Sequence, residues 1–378
     1  MAWTSDGAHL FVGSHGGDIS VVRDIDSILN THDFSADRCR PLRNGIGKGG
    51  SICDMKLTQD EKRLLICSHD CSLSLVSIED QQVLQLDSTG DYDHWYTCAA
   101  VSNPLGCILA SDNRGNVSVF DARLPGVTQR HPLHKSSKIG CIDIHSKGTI
   151  FATASNDRSC RVFDLRKIEN PNSTSRNELG LYIHGGVVSS AYFSPQVPSR
   201  LLTTAQNDEI RVFDTSVAGE FAPPKFVIPH SHKFYQHITI IKAVWHPLNR
   251  DLIAIGRYDQ PRGVDLISLS NGCQSEVFVR NLNSNIASTI FCVNAFSPNG
   301  KYLASATANN IVLWRNEQRN SHSSQSCDMK ERISMIVAAQ ERRIEEFSRG
   351  SKDPLRDRPS RADELDFSAF EFKRHKPK

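Results

Sequence analysis

One unit recurs along this chain, and it leaves few folds open. Each copy has a turn, an apolar strand ending in small residues, a polar turn, and a strand ending in an aromatic or Val. The first copy reads Ser5-Asp6-Gly7, HLFVGS, HGGD, ISVV. The third reads Asn103-Pro104-Leu105-Gly106, CILAS, DNRGN, VSVFDAR, and the fourth His145-Ser146-Lys147-Gly148, TIFATAS, NDRSC, RVFDLR. The seventh reads Phe296-Ser297-Pro298-Asn299-Gly300, YLASAT, ANN, IVLW. The copies end near Val22, Val76, Phe120, Phe163, Phe213, Ile267 and Trp314, at spacings of 43 to 54 residues. A unit of this size cannot bury its faces alone, so neighbouring copies must stack.

Strand-period patterns, Gly/Asn/Asp turns and this spacing together predict an all-β fold, a seven-bladed WD-repeat β-propeller. The propeller is expected over residues 1–316. Met1-Ala2-Trp3 runs straight into a turn, so the chain reads as starting inside blade one, as a truncated or short form with that blade incomplete. Residues 317–378 form a charged tail, expected to be mostly disordered. Within it Met329, Ile333, Ile336, Val337, Ile344 and Phe347 fall at near-helical spacing and predict one amphipathic helix. The final Lys373-Arg374-His375-Lys376-Pro377-Lys378 reads either as a nuclear-targeting or nucleic-acid patch or as a solvated tail. The longest intervals, Asp24 to Asn44 and the one holding Pro229 to Pro247, predict inserted loops on the propeller faces, where function concentrates.

Lys and Arg number 44 against 42 Asp and Glu, a net charge of +2, so any basic footprint must be local. Of the eleven cysteines only Cys67 and Cys71 lie close, and no second pair completes a zinc set. Scattered thiols on apolar strands, with no signal peptide, predict a reducing, intracellular setting. No apolar run approaches the ~20 residues of a membrane span. Gly45-Ile46-Gly47-Lys48-Gly49-Gly50 matches GxGxxG in form, but the segment after it, Ser51 to Leu57, reads as a strand and not a helix. The glycines instead let the backbone pass close to a neighbouring blade or a phosphate. Lys48 is either a phosphate contact or a solvated surface lysine. No nucleophile elbow, metalloprotease motif or P-loop is present. His230, His232, His237 and His246 cluster without helical spacing and without nearby Cys or carboxylate ligands. The chain is therefore read as non-catalytic, with no cofactor, no metal, no membrane and no small-molecule substrate.

Pro229 to Pro247 reads PHSHKFYQHITIIKAVWHP. Phe234, Tyr235, Gln236 and His237 precede a β-branched run that predicts a strand. Two readings stand. The aromatics pack under a neighbouring loop, as aromatics usually do. Alternatively, the loop tip pushes into a nucleic-acid stack, with the aromatic as wedge and the polar pair on the bases. Phe120-Asp121-Ala122-Arg123 and Phe163-Asp164-Leu165-Arg166 close two successive units. The Asp and Arg of each either fix a turn or present the Arg to a partner.

VGSHGGDI (Val12–Ile19), GIGKGGSI (Gly45–Ile52), FATASNDRSCRVFDLR (Phe151–Arg166), LLTTAQNDEIRVFD (Leu201–Asp214), HKFYQHITIIKAVWHP (His232–Pro247) and IGRY (Ile255–Tyr258) resemble the WD-repeat subunits of the UV-damaged DNA-binding complex. The likeness covers about residues 2–316. It implies a hairpin that enters the minor groove at a lesion, carried here by Tyr235, Gln236 and His237. The family aromatic there is Phe, and Phe234 precedes the Tyr of this chain. The resemblance further implies phosphate contacts at Lys138 and Arg257. It places Trp95 on the DNA-facing end, and His15 where the family has a Lys. Lys48 and Lys242 are expected on the same face. Asp164, Arg166 and Arg123 are expected to dock on the large propeller adaptor of cullin-4 ubiquitin ligases. The segment that inserts into that adaptor precedes the propeller in the family and is not in this chain. Taken whole, the resemblance implies a nuclear receptor subunit for damaged double-stranded DNA in nucleotide excision repair, with histones or chromatin as further partners. The competing readings are a chromatin or repair scaffold that binds DNA or proteins without flipping a lesion, and a protein-binding propeller with no DNA role.

Overall fold

The second strand of each unit explains the architecture. Arg63–Ser68, Cys107–Asp112, Ile150–Ser155 and Arg200–Ala205 are buried along almost their whole length. A strand covered on both faces reads as an unbroken apolar and small-residue run and not as an alternation. Ala110, Ala152, Ala154, Ala205, Ala254 and Ala304 lie in such strands with no exposed surface. Neighbouring sheets converge there, and close packing leaves room for little more than a methyl group. The outer strands alternate instead. Phe226–Pro229 buries Phe226 and Ile228 and exposes Val227.

A computed structural model of the chain describes residues 1–31, 38–43, 50–121, 123, 126–168, 178–216, 219–220, 223–233, 240–269, 278–283, 290–308, 310–316 and 334–337. Their strands form seven sheets, each from one stretch: 2–43, 52–88, 96–132, 139–183, 188–229, 244–282 and 293–337. This is the seven-bladed propeller expected from the repeat. The first strand of each blade is innermost, and together the first strands line a central channel. Blade four gains a short parallel strand, Gly219–Glu220, beside Glu178–Ile183.

The first and last blades are separate sheets, so side chains close the ring. Trp3 Nε1 donates to Ala295 O at 3.0 Å, and its ring stacks on Tyr302 with centroids 6.4 Å apart. A short helix, Ile25–Thr31, is inserted after the third strand of blade one and buries Ile25, Ile28 and Leu29. Its Asp26 contacts both Lys301 and Tyr302, and Asn30 accepts from Arg315 at 2.9 Å.

Two outcomes differ from the expectations. Blade one is not short of an inner strand: Ala2–Trp3 pairs with Leu10 and Phe11. Two residues suffice because the large Trp3 ring is buried against blade seven, at 9 % exposure. Second, Ser334–Val337, inside the expected tail and its expected helix, pairs as a strand with Asn310–Leu313. Ile336 and Val337 therefore complete blade seven, because β-branched residues suit an open sheet edge as well as a helix face. Met329, Ile333, Ile344 and Phe347 lie outside the described residues.

Buried His–Asp pairs pin the ends of the blades. His94 Nε2 lies 2.8 Å from Asp112 Oδ2. His134 Nδ1 lies 2.8 Å from Asp157 Oδ2, with Thr153 Oγ1 2.7 Å from its other nitrogen. Blade five has Asn207 at the place of Asp157. Both ring nitrogens of His184 and Asn207 Oδ1 are buried without hydrogen-bond partners among the described residues. Burial pulls His184 down to about 4.

Candidate nucleic-acid interface at one end of the channel

Strands alternate in direction within each blade. Every loop leading into a first strand therefore opens on the same end of the channel as every turn joining a second strand to a third. Trp95 and Lys138 immediately precede the first strands of blades three and four, Tyr96–Ser102 and Ile139–Ile144. His69 lies in the turn after Arg63–Ser68, and Arg257 closes Leu252–Arg257 of blade six. The channel below has a volume of about 1610 Å³ and is lined by His15, Ser51, His69, Trp95 and Lys138 at this end.

These side chains form a row. His69 stacks on Trp95 with ring centroids 5.0 Å apart, and Lys138 Nζ stands 5.9 Å from the centroid of the same indole. An indole takes a cation on its face through its quadrupole, and it offers a flat apolar surface to a base. Burial lowers the Lys138 ammonium from its usual value, with Lys242 adding to the effect. Burial also lowers His69 from its usual value, with Lys138 and His15 adding to the effect. His15 Nδ1 lies 2.8 Å from Ser51 Oγ.

Arg257 is held from below. Its Nε and NH2 lie 2.7 and 2.6 Å from Asp265 Oδ2. Asp265 is fully buried, and it also meets His230 Nε2 at 3.1 Å and Asn281 Nδ2 at 2.6 Å. Burial alone would raise this carboxyl, but hydrogen bonds from His230, Asn281 and Arg257 hold it below its usual value. His230 begins the segment expected to insert. Asp208 Oδ1 accepts from the backbone N–H of His232 at 3.0 Å and of Lys233 at 2.8 Å. His232 Nε2 sits 2.8 Å from Ala205 O. Ile241 and Ala243 are fully buried on the other side. The stem is thus anchored at both ends. Phe234, Tyr235, Gln236 and His237 lie outside the described residues, as does Lys48.

Lys242 differs from the one-face expectation. It lies inside the channel, donating to Gly140 O at 3.2 Å, and so adds positive charge beneath the mouth and not on its rim. The glycine stretch is explained at Gly50. A Cβ there would come within 2.5 Å of Asp70 N, so the backbone needs glycine to pass the turn of its own blade.

Third strands run toward the opposite end, and Asp121, Arg123, Asp164 and Arg166 lie there. Arg166 Nε and NH2 donate to Asp164 Oδ1 and Oδ2 at 3.0 and 2.7 Å, and Arg123 repeats the geometry on Asp121 at 2.9 and 2.6 Å. Arg166 remains 61 % exposed while Asp164 is 6 % exposed. A buried carboxylate thus presents an exposed guanidinium in one orientation. Sequence reasoning missed His69, Asp208 and Asp265. Each is a turn or strand residue of the repeat, and aligning all the turns at this end would have flagged the first two.

The model "WD domain, G-beta repeat" matches residues 127–164 and 277–315. DNA damage-binding protein 2 of Gallus gallus is 33 % identical over 81 % of this chain and 60 % of its own length. The Bos taurus protein of that name is 30 % identical over 84 % of this chain and 72 % of its own length. The chain therefore spans about 60 % of the length of the Gallus gallus relative. A solved chain of the "Crystal Structure of Mitotic Checkpoint Complex" is similar in fold, with TM-score 0.62, 15 % identity, and 84 % and 86 % of the two chains covered.

Proposed function

Because the chain belongs to the family of DNA damage-binding protein 2, we propose that it recognises lesions in double-stranded DNA at the Trp95 end of the channel. The observation that carries this reading is the His69–Trp95–Lys138 row, on the same end as Arg257 and the anchored stem that leads into Phe234. Phe234, Tyr235, Gln236 and His237 insert at the lesion, the aromatic filling the gap and the polar pair facing the bases. A damaged base is already poorly stacked, so extruding it costs less than extruding a normal base, which takes a few kcal/mol. Selectivity is that difference. Lys138, Arg257 and Lys48 hold phosphates and add affinity without sequence information. A duplex carrying 2-aminopurine opposite an abasic site tests the insertion. Its fluorescence should rise on binding, and an unchanged signal at saturation would contradict flipping.

On the opposite end, Arg166 and Arg123 dock on the adaptor of a cullin-4 ubiquitin ligase, so that lesion binding and ligase recruitment use separate faces in the nucleus. The self-clamped, exposed guanidiniums support this. Arg166→Glu is expected to cut co-purification with that adaptor at least tenfold while leaving the fold intact. An unchanged yield would remove Arg166 from the interface.

A further inference from the structure

The strongest unused feature is a cationic rim on blade four, and the inference from it rests on the DNA reading above. At the channel mouth the turns between second and third strands of five blades each hold a left-handed residue. These are Gly17 (φ 84°), Cys71 (φ 72°), Gly115 (φ 87°), Arg158 (φ 68°) and Asp208 (φ 60°) in blades one to five. Glycine adopts this conformation freely, Asn and Asp tolerate it, and a long side chain does so at a cost. Blade four nonetheless carries arginine. Its backbone is fixed on both sides, the N–H donating to Ser155 O at 3.2 Å and the carbonyl accepting from His184 N at 2.9 Å. Its side chain is exposed and has no ion-pair or hydrogen-bond partner among the described residues. Asp157, next in sequence, is taken by His134, Ser159 and Arg161.

Beside this turn runs the loop leading into Ile139–Ile144. Asn156 N donates to Lys138 O at 2.9 Å, and Ser155 Oγ donates to the same oxygen at 3.0 Å, tying the two loops together. Lys135, in that loop, is likewise exposed and without a partner among the described residues. Other arginines toward this end are paired, Arg114 with Asp91, Arg211 with Glu209 and Arg257 with Asp265. Lys135, Lys138 and Arg158 thus leave three cations uncompensated on one blade, in a chain whose net charge is only +2.

We propose that Arg158, with Lys135, holds phosphate groups of the DNA backbone outside the mouth, continuing the track that Lys138 begins. The turn keeps an unfavourable backbone because the position needs a charge. Arg158→Gly in the full chain tests this. It removes the charge and relieves the turn together, so the unfolding midpoint should hold or rise. Affinity for an undamaged duplex and for one with an abasic site should fall by a similar factor. The slope of log K against log salt should shrink by about 0.9, the share of one phosphate. Arg158→Lys should keep the slope. A lost slope with no lesion preference in the wild-type chain would leave this inference standing and sink the lesion reading. A lesion preference with an unchanged slope in Arg158→Gly would overturn this inference alone. A lowered midpoint would make Arg158 structural and overturn it too. A wild-type chain that binds neither duplex overturns both.

Discussion

A chain carrying Gln236→Ala with His237→Ala loses its preference for damaged duplex and keeps its salt-dependent affinity for undamaged duplex. On the proposed reading Lys138 and Arg257 hold phosphates and are themselves unchanged, so their contribution is expected to survive the double change. Sequence-independent affinity comes from counterion release, and the tip contributes nothing to it. Lesion preference comes from filling the gap and meeting the exposed bases, and it falls toward unity. A tenfold preference corresponds to about 1.4 kcal/mol, well within what two lost polar contacts remove. The check is parallel titration of both duplexes at fixed salt. An equal loss on both would mean that the tip holds DNA in general and reads no lesion.

Asp265→Ala destabilises blade six by about 3 to 5 kcal/mol, the cost of removing one partner from a buried ion pair. Asp265 is fully buried, and Arg257, His230 and Asn281 all converge on it. Without it, His230 and Asn281 lose a buried acceptor, and Arg257 loses the carboxylate that orients it. Two of them also position function: Arg257 on the rim, and His230 at the base of the stem. Stability and lesion preference are therefore expected to fall together. The folded-state pKa of Asp265 lies below the unfolded value of 3.8. Its contribution is thus fully present above that value and is lost as pH falls through the folded one. The gap between the denaturation midpoints of the wild-type and Asp265→Ala chains should be full at pH 8 and narrow in acid stronger than the unfolded value of 3.8. A gap that stays as wide there would contradict the assignment.

The ring was legible because a repeat with burial on both faces leaves a plain signature. Runs such as IFATAS and RLLTTA name the second strands directly. The edges were less legible. Ala2–Trp3 is too short to show a period, and its burial depends on blade seven, almost three hundred residues away. Ile336 and Val337 fit a helix face as well as a strand, and only the open edge of Asn310–Arg315 decides between them. At the site, Trp95, Lys138 and Arg257 fell on one end because strand direction alone fixes which loops share an end. Lys242 did not: it precedes the first strand of blade six, Val244–Trp245, and already lies inside the channel at Gly140 O. Asp265 was invisible in sequence, since nothing local marks an aspartate as the meeting point of a histidine, an arginine and an asparagine from three segments.

The most direct measurement is the affinity of the wild-type chain for a duplex with one abasic site or pyrimidine dimer, against the same duplex undamaged, at one salt concentration. Lesion recognition at the Trp95 end predicts a preference of at least tenfold, roughly 1.4 kcal/mol. Equal affinity for the two duplexes would contradict it, and would leave a propeller that holds DNA as a scaffold without reading damage.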